Sequence, residues 1–163
     1  MNTVTAQHRT MDDTDLRLAQ ALRAWLDLGQ EAESVSVPLG GGLFDIVITA
    51  GGTPGHAAVA AMDEIQLGTC GPVVEIPEAS LLYWLVPPGT CGQWAHHNFG
   101  LCLGAPLTLE LPKLRRTRPP GRHWLRPCRS DRLVPPLQLR RVLDESRPGP
   151  APYDAVGALF GLP

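Results

Sequence analysis

Apolar and polar positions in this chain alternate in short blocks separated by glycines and prolines. Residues 12–28 are the exception. Asp12, Asp13 and Asp15 precede Leu18, Leu22, Trp25 and Leu26 at helical spacing, and Gly29 supplies a stop. Residues 34–37 alternate with the two-residue period of a short strand. Residues 43–49 read Leu-Phe-Asp-Ile-Val-Ile-Thr, a β-branched and aromatic run that predicts a buried strand. Thr53 and Pro54 then predict an N-cap and first turn, and Ala58, Ala61, Met62 and Ile65 form the apolar face of a helix. Residues 72–76 and 81–86 predict two further strands. Their connection is too short for a helical crossover, so they pair antiparallel. Residues 107–111 alternate as a strand, residues 123–125 predict a short one, and Pro135 and Pro136 open a helix through Leu137, Leu139 and Leu143. Residues 91–104, with aromatics, glycines and two histidines, follow no single period.

This order predicts an α+β fold with a mixed or largely antiparallel sheet and helices on a face. The 163 residues suit one domain, assigned to residues 12–146, with a flexible tail at 1–11 and a Pro- and Gly-rich tail at 147–163. Within that second tail, residues 153–160 read as a loosely docked turn of helix. Composition sharpens the picture. Gly and Pro number 17 each, which excludes a helical bundle or coiled coil, and 44% hydrophobic residues argue against disorder. No apolar run reaches the ~18 residues of a membrane span, and the polar start carries no secretory pattern. The expectation is a cytoplasmic chain that does not enter membranes, with Cys70, Cys91, Cys102 and Cys128 reduced.

Charge is segregated along the chain. Residues 1–112 hold 3 arginines against 12 acids, and residues 113–163 hold 11 basic residues against 4 acids. Eight of the basic residues fall between positions 113 and 132: Lys113, Arg115, Arg116, Arg118, Arg122, Arg126, Arg129 and Arg132, opposed by Asp131 alone. Such a cluster suits nucleic acid or another polyanion, and an acidic protein partner satisfies the same physics. Trp124 sits among them, either as a stacking platform for a base or, as its neighbours Leu125 and Pro127 favour, as a core anchor.

Several segments recur in a characteristic order: Phe44-Asp45-Ile46-Val47, the helix around Gly55 to Met62, Gly71-Pro72-Val73-Val74, residues 81–89 ending in Pro-Gly, Gly104, Pro119-Pro120 and Trp124-Leu125-Arg126-Pro127. Over roughly residues 35–145 the chain resembles the actinobacterial bifunctional DNA primase/polymerase domain family, in shortened and degenerate form. The resemblance implies an archaeo-eukaryotic primase-like fold on an RNA-recognition-like sheet. It also implies metal-dependent nucleotidyl transfer in active members, through paired carboxylates on one strand and a Ser-x-His on its neighbour. Two divalent metals need clustered anionic oxygens to bridge a triphosphate. This chain departs from the pattern. Asp45 has Val47 where a second acid would stand, residues 81–85 hold no Ser-x-His, and Glu110 is the lone acid of the late strand. One carboxylate does not hold two metals, so polymerisation is expected to be absent. A residual activity would need Mg or Mn on Asp45 and Glu110. The alternative for Asp45 is an edge or turn-facing acid bonded to the nearby glycine amides. The expected function is a degenerate domain that binds nucleic acid or nucleotide through its basic loop. The alternative is a regulatory or scaffolding module without enzymatic activity.

Two weaker signals remain. Gly51, Gly52 and Thr53 open a helix whose amides suit a phosphate, but no Walker lysine follows and a plain tight turn is the default. Cys91, His96, His97 and Cys102, with Cys128 further on, are zinc-type donors at a spacing that matches no common zinc motif. Reduced thiols and surface histidines are the simpler reading.

Overall fold

Leu-Leu-Tyr-Trp-Leu-Val, residues 81–86, has no charged position and so needs cover on both of its faces. The chain supplies that cover with two different layers. The structure, a computed structural model, describes residues 34–40, 42–128 and 132–160. The expected tail 1–11, the helix 12–28 and Arg129 lie outside the described residues.

The described order is β1 (Ser34–Pro38), β2 (Asp45–Ala50), α1 (Gly52–Ile65), β3 (Val73–Ile76), β4 (Leu81–Val86), α2 (Thr90–Gln93), β5 (Leu101–Leu103), β6 (Thr108–Pro112), β7 (His123–Arg126), α3 (Pro136–Ser146) and α4 (Tyr153–Phe160). A single 3-10 turn, Pro77–Ala79, joins β3 to β4. The five-stranded sheet runs β5-β2-β4-β3-β7, and every pairing in it is antiparallel. β2 and β3 therefore run the same way with β4 between them, and the connection carrying α1 straddles β4. No helix among the described residues is long and apolar enough to cross a membrane.

Helices α1 and α3 cover one face. Ala58, Val59 and Met62 of α1 and Leu139, Val142 and Leu143 of α3 pack on Val47, Val73, Leu82, Trp84 and Val86. Gly55 brings α1 close to the end of β2, where a Cβ would stand 2.7 Å from the Ala50 carbonyl oxygen. On this face Trp84 Nε1 donates to Thr49 Oγ1 at 2.9 Å, so a buried indole N–H is satisfied within the sheet.

The other face is closed as well. β1 and β6 form an antiparallel ribbon, from Ser34 opposite Pro112 to Pro38 opposite Thr108. Its Val37, Leu109 and Leu111 pack with Trp124 on Ile46, Ile48, Val74, Tyr83 and Leu85. The expectation of helices on one face thus describes half of the sheet's cover. The fully apolar β4 accounts for the rest, since each large buried side chain contributes about 1.5–3 kcal/mol that an open face would forfeit.

Other departures are local. The α1 helix begins at Gly52 with Gly51 as N-cap, so Thr53 lies inside it and caps nothing. The unassigned stretch 91–104 contains the end of α2 and the short strand β5. Within the expected C-terminal tail, α4 buries Val156 completely in the ribbon-side core, and the Ala151 amide donates to the Asn98 carbonyl at 2.7 Å. Tyr153 adds to this docking, its hydroxyl donating to His97 O at 3.3 Å.

Candidate functional site

The basic run leaves the end of β6 and enters β7. Its frame is rigid. The Arg116 amide donates to Lys113 O at 2.9 Å, and Arg116 O accepts the Trp124 amide at 2.7 Å. Trp124 is 2% exposed and its Nε1 donates to Pro112 O at 3.0 Å, which makes it the anchor of the loop and not a stacking platform. The Arg116 guanidinium donates to Pro120 O across the loop.

The structure divides the arginines and lysine among several tasks. Lys113 is buried. Arg122 donates to Glu110 O at 3.1 Å and lies 5.9 Å from the centre of the Tyr83 ring. Arg126 is turned inward onto Asp63 of α1, with Nη2 2.6 Å from Oδ2 and Nε 3.0 Å from Oδ1. Burial raises the Asp63 carboxyl, but hydrogen bonds from Arg126 and the Cys70 amide outweigh it and hold the group below its ordinary value. Arg115 and Arg118 stand exposed, with no hydrogen bond or ion pair among the described residues. Arg132 is exposed too.

Asp45 and Glu110 are not brought together. Asp45 is 2% exposed and its Oδ2 accepts the Cys91 amide at 2.9 Å, so it satisfies the start of α2. Gly104 makes room for it, because a Cβ there would come within 2.9 Å of Asp45 Oδ1. By strand alternation Asp45 shares the helix-covered face with Val47 and Thr49. Glu110 sits between the core residues Leu109 and Leu111, so it points out of the ribbon, where it accepts from Ser34 Oγ at 2.8 Å. The two acids are separated by the sheet and its ribbon, and they do not share a metal.

The zinc-type donors do not converge on one site. His97 is buried; its Nδ1 accepts the Phe99 amide at 3.1 Å, and its Nε2 donates to Asp144 Oδ1 at 2.7 Å. His96 stacks on Tyr153 at 5.5 Å. Cys102 is buried beside the exposed Cys91. Among the described residues no three such side chains form a group that could hold a metal ion. At the α1 start, the Gly51 amide is already donated to Ser80 O at 2.7 Å, and Pro54 has none to offer.

A side-chain cluster absent from the sequence reading joins His56 of α1, Glu75 of β3 and His123 of β7. Both histidines contact the Glu75 carboxylate, His123 Nε2 at 3.0 Å. The His123 Nδ1 faces Gly121 O at 2.9 Å, so both nitrogens of this buried ring face acceptors. With Asp63 and Arg126, this cluster fastens α1 to the edge strand. The sequence carries no signal for either contact, because both depend on β3 lying between β4 and β7. Scans of family models and searches of curated proteins and of solved structures return no significant match to this chain.

Proposed function

We propose that this chain is a primase-polymerase-like domain without catalysis that binds nucleic acid through the loop between β6 and β7. The observation that carries the reading is the pair Arg115 and Arg118, exposed on a loop whose base is tied down by Trp124 and Arg116. A guanidinium held on a rigid loop contacts a phosphate without first being ordered, and phosphate contacts carry little base preference. The separation of Asp45 from Glu110 supports the non-catalytic part of the reading, since two-metal chemistry needs them together. The closed second sheet face turns attention from an open RNA-recognition surface to the loop.

The test is fluorescence anisotropy of labelled single- and double-stranded DNA and RNA at two salt concentrations. If both arginines contact duplex phosphates, Arg115→Gln with Arg118→Gln lowers the slope of log affinity against log salt by about 1.8. Absence of binding at low salt overturns the reading. A non-enzymatic interaction module is the second reading. It is favoured by Leu137, 78% exposed on α3 beside a cleft that Trp94 and Arg140 line. A stoichiometric acidic protein partner without nucleic acid would decide for it.

A further inference from the structure

The four cysteines occupy unlike surroundings. Cys70 lies under Asp63, and burial together with that carboxylate pushes its thiol up to about 12. Cys128 is buried on the ribbon side of the sheet, across from Cys70. Cys91 and Cys102 are instead neighbours. Cys91 is exposed at the second position of α2, and Cys102 is buried at the centre of β5. Cys91 Sγ donates to the Cys102 carbonyl oxygen at 3.4 Å, which places the Cys91 sulfur against the Cys102 residue. The Asp45 carboxylate grips the Cys91 amide at 2.9 Å and so holds this exposed thiol against the buried one.

We propose that Cys91 and Cys102 form a peroxide-responsive dithiol pair, in which Cys91 is oxidised first and Cys102 resolves it. The geometry sets the order. Solvent and a small hydroperoxide reach Cys91 and not Cys102. Burial, reinforced by the nearby Asp45 carboxylate, also keeps the proton on the Cys102 sulfur. In the first step the Cys91 sulfur attacks one peroxide oxygen, the O–O bond breaks, and Cys91 becomes a sulfenic acid as water departs. In the second step the Cys102 sulfur attacks the Cys91 sulfur and the S–O bond breaks. The released hydroxide takes the Cys102 proton as water, and an S–S bond remains. Two thiols are oxidised and one peroxide is reduced to two waters. The product ties α2 to β5 and closes the segment that carries Trp94, His97 and Phe99.

The experiment treats the full reduced chain with stoichiometric hydrogen peroxide, then denatures it in N-ethylmaleimide and maps the peptides by mass spectrometry. The expected result is loss of two hydrogens in a linked Cys91–Cys102 peptide, with maleimide on Cys70 and Cys128. In Cys102→Ala, dimedone is expected to trap the Cys91 sulfenic acid. In Cys91→Ser, Cys102 is expected to stay reduced. The proposal is overturned if Cys91 proceeds to sulfinic acid while Cys102 remains a thiol. Chains linked through Cys91, or maleimide on both cysteines after peroxide, overturn it equally.

Discussion

Arg126 and the pair Arg115 and Arg118 belong to the same basic run, yet they do opposite work. Arg126 points inward and neutralises Asp63, holding the end of α1 to the edge strand β7. Arg115 and Arg118 point outward with no partner among the described residues. By residue type the three look alike, since each is an arginine near a proline in a segment short of acids. What separates them is backbone state. Arg126 sits in a strand whose neighbour, β3, packs under α1, so its side chain meets a helix. The other two sit on the loop between β6 and β7. A dense run of positive charge is therefore an upper bound on an anion-binding surface, not a measure of one.

The comparison breaks most severely at the shared anchor. Trp124→Ala removes a fully buried indole beneath the loop and at the edge of the ribbon-side core, and is expected to cost about 3–5 kcal/mol in urea unfolding. A loss under 1 kcal/mol, roughly a surface-level change, would mean the loop is not tied to the core.

Next comes the inward arginine. Arg126→Ala removes charge-assisted hydrogen bonds and is expected to cost about 2 kcal/mol at neutral pH. The Asp63 carboxyl is held below its ordinary value of 3.8, so the pair's stabilisation is complete above that pH and is lost as pH falls through the lowered value. The stability gap between wild type and Arg126→Ala should accordingly close on the acid side. A gap that persists unchanged in acid would assign the effect to packing of the arginine stem.

The outward pair should move stability least. Arg115→Gln with Arg118→Gln is expected to shift unfolding by no more than about 0.5 kcal/mol, even as it lowers the salt dependence of binding. A larger loss in a thermal or urea melt would show that these arginines hold the loop itself.

Much of the architecture was legible beforehand because it is written in local patterns. The pattern at 81–86 gives the observed bounds of β4, and the patterns near 34, 45, 73, 108 and 123 and near 52 and 136 give the other strands and two helices to within a few residues. The strand Leu101–Leu103 was not read. It is short, and its signal is diluted by flanking glycines and by the cysteine at its centre. The core role of Trp124 was legible from its apolar neighbours. The sequence points Asp45 to the amides of the nearby glycines; a backbone amide is indeed its partner, but the acid is buried and the amide is not a glycine's. The Cys91 amide that it meets was not legible, because 46 residues separate the two.

By itself the sequence determined the α+β class, the alternation of elements, the segregation of charge and the lack of a second acid beside Asp45. Each of these is a property of neighbours along the chain, set by backbone period and composition. Only the tertiary structure decided which arginines turn inward, what covers the second face of the sheet, and which thiol lies on which. Asp63 meets Arg126 across 63 residues and Ser34 meets Glu110 across 76. Contacts at that separation form when strand order and packing bring the groups together, and no local pattern records them.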